Sequence, residues 1–468
     1  MPPARAPSSR PLLVVTLLLV AALWYLSGSP PASRAAPLKD AATAERKRAA
    51  VPSQPALVNQ AAHKAAPPPL DDDRSALSDR RSTVLTQRIV AVGDIHGDLP
   101  ALTSILRRAG LVDLKGQWTG GDTILVQTGD IVDRGPDTIA LYRFFQSLRP
   151  QAEKAGGALV SLLGNHDIMQ TLGDWRYVTK EDIASFGGER NRREAFSTGW
   201  IGAEFRANYS ITARVPYLVS SLPHDLAAPV LPSTPRGSSD RRFLGDPSYP
   251  ASASPPNPFL HAAASFVHGG ITPEYLDSLH SSHPINDMNR IGRELLFSLL
   301  DVPGGVPLSL PRSAPPEQRE FWSERGPMWN RDWAIEDEDE ICERVERVCE
   351  ALKVRRLVMG HTPQFEGILS RCDGKVLLID TGISRAYGGA HSSLSLTYTL
   401  TPASSLPLAD ALALSLVSLS DPDPEATLRG EGELARTWVE TEVVEALYTR
   451  GRESETLGKW ERVVVVPE

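Results

Sequence analysis

Five short polar blocks, each at the end of an apolar run, constrain this chain more than any other feature of its sequence. The blocks are GDIHGD at 93–98, GDIVDRG at 129–135, GNHD at 164–167, HGG at 268–270 and GHTP at 360–363. The clearest apolar runs are 89–92, 123–127, 158–163, 264–267, 356–359 and 375–379. Short, near-continuous apolar runs of this kind are typical of strands that are buried on both faces of a sheet.

Helical patterns alternate with these predicted strands. Between the first two runs, apolar residues recur at helical spacing, and Asp98 suits the N-cap position. A second helix is predicted from Pro136 through Arg149, because proline suits the first helical turn. This alternation predicts a layered α/β fold. Ligands of such folds bind beyond the carboxyl ends of the strands, so we expect the five polar blocks to meet at one edge of the sheet.

Length and charge exclude some classes of function. The 468 residues suffice for one large catalytic domain or two smaller ones. The net charge of -8 argues against a nucleic-acid-binding protein, which usually needs a basic face. We therefore expect no nucleic-acid partner, and the oligomeric state stays open.

The first 86 residues differ in composition from the rest. Residues 1–28 contain the apolar stretch 12–26, which is typical of a signal anchor or a signal peptide, and a proline pair in the nearest cleavage site favours an uncleaved anchor. Residues 29–86 are rich in Ala, Pro and Ser and are predicted to form a disordered linker. A membrane-anchored or secretory-pathway protein is expected. Because no acidic residue precedes Asp40, the mitochondrial intermembrane space remains an alternative.

The polar blocks contain side chains that bind divalent metal ions. Imidazole suits iron and zinc, and carboxylate suits manganese. Asp94 and His96 face the same side of an extended segment, so both can bind one ion. The candidates for a second ion, to which Asp130 can bridge, are Asn165, His268 and His361. Two such ions, about 3.5–4 Å apart, share a water or hydroxide, lower its pKa and stabilise both oxygens of an in-line displacement.

Taken as a set, the five blocks resemble the calcineurin-like metallophosphoesterase superfamily and, within it, the phosphoprotein phosphatases. Three segments are similar to the Shewanella-like protein phosphatases: VHGGI at 267–271, GPMWNR at 326–331 and VMGHTP at 358–363. The resemblance covers roughly residues 88–400, and it is specific only as a set. It implies a metallophosphatase β-sandwich flanked by helices.

The resemblance also implies a role for each matching residue. The implied ligands of the first ion are Asp94, His96 and Asp130, and those of the second are Asp130, Asn165, His268 and His361. The two ions would be manganese, iron or zinc. The implied catalytic residues are His166 as proton donor, Asp133 as its orienting partner, and Arg134 and Arg331 as phosphate-binding groups. A guanidinium group suits that last role because it can bind two phosphate oxygens at once.

The function expected from this resemblance is hydrolysis of phosphomonoesters by attack of a metal-bridging hydroxide. The enzyme would most simply be a serine/threonine or tyrosine protein phosphatase. Its substrate would be a phosphoprotein or a small phosphoester. A dinucleoside polyphosphate (diadenosine tetraphosphate) hydrolase is the first alternative, because Pro136 after the second block is shared with such enzymes. An inactive binding module of the same fold is the second. The presence of every ligand and of the pair His166 and Asp133 argues against that second alternative.

The catalytic domain is expected to span residues 87–402, with a helical insertion at 170–225 and a loop insertion at 229–260. Within it, residues 393–400 alternate between apolar and polar, which predicts an antiparallel edge strand. Residues 403–468 form a C-terminal extension without an informative pattern.

Two acidic features are expected to be structural. The run 336–340 suits the first turn of a helix over 335–353, where the helix dipole favours negative charge. Asp380 follows a predicted strand but has no histidine partner nearby in sequence, so a structural role is expected. The histidines outside the blocks are also expected to be structural or exposed: His63, His224, His261, His280, His283 and His391.

The chain has three cysteines. Cys342 and Cys349 lie too far apart on a helix to bridge each other, but either could pair with Cys372. Buried free thiols are the favoured interpretation, because free cysteine is among the most buried residue types.

Overall fold

A computed structural model describes residues 84–218, 243, 246, 258–300, 309–430 and 434–466. The predicted anchor, nearly all of the predicted linker and most of the loop insertion at 229–260 lie outside the described residues. Within the described ranges, no helix is both long and apolar enough to cross a membrane.

The strands form two mixed sheets. They are β1 (Leu85–Val92), β2 (Ile124–Gln127), β3 (Ala158–Leu162), β4 (Tyr209–Ser210), β5 (Thr212–Pro216), β6 (Ala263–Val267), β7 (Arg356–Met359), β8 (Leu369–Arg371), β9 (Val376–Leu378), β10 (Ser392–Pro402), β11 (Thr437–Tyr448) and β12 (Glu455–Val465). The larger sheet has the order β12-β11-β10-β1-β2-β3-β4, and the smaller has the order β5-β6-β7-β9-β8. Each of the six predicted strands overlaps one of these.

Helices separate many of these strands along the chain. They are α1 (Leu99–Arg108), α2 (Thr138–Lys154), α3 (Asn165–Leu172), α4 (Lys180–Ser185), α5 (Glu189–Phe196), α6 (Trp200–Asn208), α7 (Pro273–Leu279), α8 (Pro284–Leu300), α9 (Pro316–Phe321), α10 (Asp332–Ile335), α11 (Glu338–Leu352), α12 (Leu408–Ala413) and α13 (Pro424–Arg429). Asp98 Oδ1 accepts a hydrogen bond from the Ala101 amide at 3.0 Å, which confirms the predicted N-cap of α1. Helix α2 continues past its predicted end at Arg149, because Arg149 and Ala152 are both buried against the sheet.

Buried side chains of β1 show how the layers stack. Val90 and Val92 pack on the helix-facing side, in a core that includes residues of α1 and α2. Ile89 and Ala91 point the other way, into a core between the two sheets that they share with Phe266 of β6. A third core lies between the smaller sheet and α7, α8 and α11. The predicted α/β sandwich flanked by helices is therefore confirmed, and each buried aliphatic side chain contributes about 1.5–3 kcal/mol to it.

The prediction of an edge strand at 393–400 was wrong. Strand β10 lies inside the larger sheet, paired with β1 on one side and β11 on the other. The C-terminal extension supplies β11 and β12. In β11, Glu440 and Glu442 occupy buried positions that are usually apolar, which removed the alternation by which the strand could have been recognised.

The helical insertion predicted at 170–225 is helical as far as Asn208, after which the chain forms β4 and β5. We call α4, α5 and α6 the helical segment. Helix α11 has Glu338, Asp339 and Glu340 in its first turn, as predicted.

The interpretation of the cysteines as free thiols was wrong for two of them. Cys342 of α11 and Cys372, directly after β8, form a disulfide with a Cα–Cα distance of 5.2 Å. The packing of α11 beside the β8–β9 turn brings them together, and the sequence contained no signal for that contact. Cys349 is free and buried, as predicted.

Candidate active site

The five polar blocks lie together because the strands before them run parallel. Strands β1, β2 and β3 are parallel neighbours, as are β6 and β7, so the loops after them leave the same edge of each sheet. Hydrogen bonds then join the loops. The amides of Ile95 and His96 both donate to Asp130 O at 3.0 Å. The His166 amide donates to Asp130 Oδ1 at 2.9 Å, and the His361 amide donates to both carboxylate oxygens of Asp94 at 3.2 Å.

The backbone is strained where these loops meet. His96, Asp130 and His361 have φ angles of 44°, 53° and 68°, in the left-handed region that residues other than glycine seldom occupy. The close approach also requires glycine at position 164, where an added Cβ would lie 2.0 Å from Asp130 Oδ1. Strain of this kind is typical of functional sites, because the surrounding structure must hold it.

Three histidine rings are oriented alike. His96 Nδ1 lies 2.8 Å from Val132 O, and His268 Nδ1 lies 3.0 Å from Thr128 O. Each Nδ1–H therefore donates to a backbone carbonyl, which leaves the lone pair on Nε2. The His361 side chain hydrogen-bonds to the backbone of Trp329, and its buried Nε2 has no hydrogen-bond partner among the described residues. Neutral imidazoles with a free Nε2 are the form that binds metal ions.

Asp130 lies between two groups of donor atoms. Its Oδ2 is 3.7 Å from His96 Nε2 and 3.5 Å from His268 Nε2. One group of atoms within 4.8 Å of one another comes from His96, Asp130 and His166, and a second comes from Asp130, His268 and His361. Asp130 is thus placed where a ligand shared by two ions would stand.

The other two predicted ligands complete these groups. Asp94 Oδ2 lies 4.0 Å from His96 Nε2, and Asn165 Oδ1 lies 2.7 Å from His268 Nε2. All six predicted ligands are buried and lie at one site. Of the remaining histidines, those described (His261, His280, His283 and His391) take no part in either donor group.

The electrostatics of the site suit bound cations. Burial and then the neighbouring carboxylates of Asp380 and Asp130 raise the pKa of Asp94 well above its usual value. Burial and then Asp167 raise the pKa of Asp130. Among the described residues, no lysine or arginine forms an ion pair with Asp94, Asp130 or Asp380. Buried carboxylates without a cationic partner are unfavourable, so this donor set fits divalent metal ions, which supply the missing positive charge.

His166 differs from the three rings above, because its Nδ1 faces a carboxylate. Nδ1 lies 2.8 Å from Asp133 Oδ2, while Nε2 faces the site, 3.9 Å from Asp130 Oδ2. We call His166 and Asp133 the acid pair. Burial, followed by the charge of Arg134, lowers the pKa of His166 to about 3, and burial raises the pKa of Asp133 to about 7.

Two arginines flank the site. The Arg134 guanidinium lies between the rings of Tyr177 and Tyr387, 4.5 and 4.7 Å from their centroids. Arg331 Nη1 donates to His361 O at 3.0 Å and to Thr362 Oγ1 at 3.1 Å. Both predicted phosphate-binding residues are therefore held by fixed contacts beside the donor groups.

Sequence reasoning missed some residues of this site. Asp380 was expected to be structural, but it lies against Asp94, and burial raises its pKa to about 6. Its position directly after an apolar run suggested that it lies near the site, but the lack of a nearby histidine favoured a structural role. Tyr177 and Tyr387 belong to no motif, and only the fold brings them to Arg134.

Comparisons with known proteins agree with this geometry. Residues 87–222 match the family model for the calcineurin-like phosphoesterases. An uncharacterized protein of Schizosaccharomyces pombe is 38% identical over 315 residues, 66% of this chain and 77% of that protein. Shewanella-like protein phosphatase 2 of Arabidopsis thaliana is 31% identical over 315 residues, 64% of this chain and 72% of that protein.

Among solved structures, the chain is similar to the cold-active protein-tyrosine phosphatase of a psychrophilic Shewanella species. The two sequences are 23% identical, and the structures superpose with a TM-score of 0.47 over 67% of this chain and 77% of the other. Membership of the metallophosphoesterases implies divalent metal ions, for which the donors around Asp130 provide the ligands. The chain belongs to the calcineurin-like phosphoesterases and, among them, to the Shewanella-like protein phosphatases, and it is a phosphoester hydrolase.

Proposed function

We propose that this chain removes phosphate from phosphorylated protein side chains at the site around Asp130. The observation that carries the proposal is the position of Asp130 between two groups of donor atoms, with the acid pair and two arginines beside them. The name of the Arabidopsis thaliana relative supports a protein substrate.

Two divalent ions, manganese, iron or zinc, would be held by this chain. The residues for the first are Asp94, His96 and Asp130, and those for the second are Asp130, Asn165, His268 and His361. When bound, such ions supply Lewis acidity and lower the pKa of a water molecule between them.

Arg134 and Arg331 would bind the phosphate group. The two tyrosine rings hold the Arg134 guanidinium in one orientation, and its buried Nε has no hydrogen-bond partner among the described residues. The terminal nitrogens can then donate to two phosphate oxygens. Arg331 is fixed by His361 O and Thr362 Oγ1. Fixed arginines orient the phosphate for in-line attack without rearrangement during the reaction.

His166 would donate a proton to the leaving oxygen. Its Nε2 faces the site, and Asp133 accepts a hydrogen bond from Nδ1, which stabilises the ring when it carries a charge. A bound phosphate dianion would oppose the effect of Arg134 and raise the pKa of His166. Proton donation matters most for an alkoxide, which is a poor leaving group.

An aromatic rim supports phosphotyrosine as the preferred substrate. Tyr177 and Phe365 are 38% and 52% exposed, and the Phe365 ring lies 6.1 Å from that of Tyr387. Trp329 lies 5.7 Å from the His361 ring. Such a rim can pack against an aryl group attached to the phosphate.

Turnover of defined substrates tests the proposal. We expect purified protein with added manganese to release phosphate from phosphopeptides, fastest from phosphotyrosine peptides, and to spare diadenosine tetraphosphate. The opposite preference would favour the dinucleoside polyphosphate hydrolase. No turnover with any substrate, in a sample whose bound metal has been measured, would favour the inactive binding module.

We also propose that the apolar stretch 12–26 anchors the chain in a membrane or directs it to the secretory pathway, with the mitochondrial intermembrane space as the alternative. The disulfide between Cys342 and Cys372 supports an oxidising compartment. Fractionation of cells that express the full chain or a chain without residues 1–28 tests this. Equal distribution of the two in the soluble fraction would contradict it.

A further inference from the structure

A buried chain of hydrogen bonds connects the acid pair to the helical segment. Gln170 of α3 donates from Nε2 to Asp133 Oδ2 and to His166 O, each at 2.9 Å. Its Oε1 accepts from Arg192 Nη1 at 2.8 Å. Arg192, on α5, also donates from Nε to Asp182 Oδ2 at 2.8 Å. Gln170 is 1% exposed, and Asp133, Asp182 and Arg192 are fully buried.

The direction of these hydrogen bonds is fixed by Arg192. A guanidinium has only donors, so the Gln170 atom that faces it must be the accepting Oε1. The donating Nε2 of Gln170 must then face Asp133. Asp133 Oδ2 therefore accepts from both Gln170 and His166, and His166 carries a hydrogen on Nδ1. The ring orientation that directs His166 Nε2 to the site thus depends on contacts that begin at Arg192.

The charged guanidinium of Arg192 is fully buried. It is packed among the rings of Trp175, Phe186 and Phe196, at 4.9, 5.6 and 4.8 Å from their centroids. Removing a guanidinium from water costs several kcal/mol, which the ion pair with Asp182, the hydrogen bond to Gln170 and the aromatic rings must together offset.

One end of Arg192 also points at the acid pair. Its Nη2 lies 3.9 Å from Asp133 Oδ1, and neither atom has a hydrogen-bond partner among the described residues. A movement of about 1 Å would bring the two atoms within hydrogen-bonding distance. Active-site hydrogen bonds are often long before substrate binds and shorten in the complex.

We propose that Arg192 is the positioning residue of the acid pair and acts on it through Gln170. The proposal rests on the proposed function, in which His166 is the proton donor. In that step the oxygen of the attacking hydroxide forms a bond to phosphorus, the phosphorus–oxygen bond to the leaving group breaks, and the proton on His166 Nε2 moves to the leaving oxygen. Asp133 accepts the hydrogen bond from Nδ1 and takes no proton from His166 in this step. Arg192 touches no reacting atom and acts by fixing the acceptor role of Asp133.

Aryl phosphates with different leaving groups test this role. Gln170→Glu keeps the size of the side chain and its contact with Arg192, but it has no hydrogen to donate to Asp133. We expect kcat for phenyl phosphate to fall about ten- to a hundred-fold, because its leaving group needs a proton. For 2,4-dinitrophenyl phosphate, whose anion leaves unaided, kcat should change less than about threefold. A variant with both Arg192→Met and Asp182→Asn, in which the Asp182 carboxylate is not left without its partner, should show the same selectivity.

The ratio of the two kcat values is the quantity to compare. Loss of folded or metal-loaded enzyme lowers both values equally, so the ratio tests the proposal even in a partly unfolded variant. The matched control is Arg193→Gln. The Arg193 guanidinium also stacks on Trp175, at 4.6 Å, but Arg193 is not a hydrogen-bond partner of Gln170. Its ratio should equal that of the wild type.

His166→Asn separates this proposal from the proposed function. We expect this variant to lower kcat for phenyl phosphate, relative to kcat for 2,4-dinitrophenyl phosphate, by more than Gln170→Glu does. If it does, and Gln170→Glu lowers both substrates equally or neither, Arg192 has no positioning role and the proposed function stands. If His166→Asn shows no selectivity, His166 is not the proton donor, and that part of the proposed function and the positioning role of Arg192 both fail.

Discussion

Two buried clusters of charged side chains lie at the two ends of strand β7, and they differ in whether their charges are paired internally. Arg356 begins the strand, and His361 follows its end. At the first end lies the arginine–glutamate cluster, formed by Arg355, Arg356, Glu440 and Glu442. At the other end lies the metal cluster, formed by Asp94, Asp130 and Asp380 with the imidazoles of His96, His268 and His361. Both clusters are almost completely buried.

The arginine–glutamate cluster matches its own charges. Arg355 Nη2 donates to both carboxylate oxygens of Glu440 at 2.8 Å, and Arg356 Nε donates to Glu442 Oε1 at 2.6 Å. The Arg356 guanidinium also stacks on Trp460 at 3.7 Å. Each buried glutamate is paired with an arginine inside the cluster, and Arg462 also lies 3.7 Å from Glu440, so these carboxylates need no cation from solution.

The metal cluster does not match its charges. Its carboxylates lie against one another, imidazoles and backbone amides, with no ion pair to a lysine or arginine among the described residues, and burial raises the pKa of Asp94 and Asp130. Divalent cations would supply the positive charge that these carboxylates lack. The comparison teaches that the internal balance of charge, and not burial alone, distinguishes a binding site from a structural ion-pair cluster.

Asp130→Asn should have the largest effect. Removing the shared carboxylate should release both metal ions and lower kcat about 10⁴-fold or more, because two-ion catalysis contributes several kcal/mol. Elemental analysis and turnover of p-nitrophenyl phosphate on one sample measure both effects. Asp113→Asn, a change in an exposed turn, is the control. Unchanged metal content in Asp130→Asn would refute the shared position.

His166→Asn should lower kcat with phenyl phosphate by about 10²–10⁴-fold, the usual contribution of a general acid. Metal content should be retained, because His166 Nδ1 is bound to Asp133 and the ring is not needed by the ions. Elemental analysis checks this. Loss of metal together with activity would move His166 from the acid pair into the metal cluster.

Glu442→Gln should act on stability and leave catalysis unchanged. It leaves Arg356 buried without its charge partner, which should lower the free energy of unfolding by about 3–5 kcal/mol. Denaturant titration measures this, and kcat of the folded protein should be unaltered. Glu461→Gln, on the exposed face of β12, should change little. A fall in metal content on Glu442→Gln would mean that the two clusters are not independent.

Reduction of the Cys342–Cys372 disulfide should have the smallest effect. Cys372 is next to the turn whose Gly374 O accepts a hydrogen bond from Arg356, so the disulfide supports the arginine–glutamate cluster. The sequence separation of 30 corresponds to about 3–4 kcal/mol. Reductant should lower the unfolding free energy of the wild type and leave a Cys342→Ser, Cys372→Ser variant unchanged. An equal response of both proteins would contradict this assignment.

The two clusters also differ in how well the sequence predicts them. The ligands of the metal cluster could be identified because each lies in a short motif after an apolar run, so local pattern and position agree. Asp380 was missed because its block contains no histidine. Glu440 and Glu442 could not be predicted, because their burial depends on arginines about 85 positions away in the chain. The same holds for Arg192, which the fold brings to Asp133 from an ordinary amphipathic helix.

The stacking of Arg134 between Tyr177 and Tyr387 has a consequence for the product. The two rings come from distant loops, so the guanidinium is ordered before any ligand arrives, and binding does not have to freeze it. That advantage is the same for inorganic phosphate as for the ester. We therefore expect free phosphate to compete with substrate, and its departure to limit the rate once the chemistry is fast.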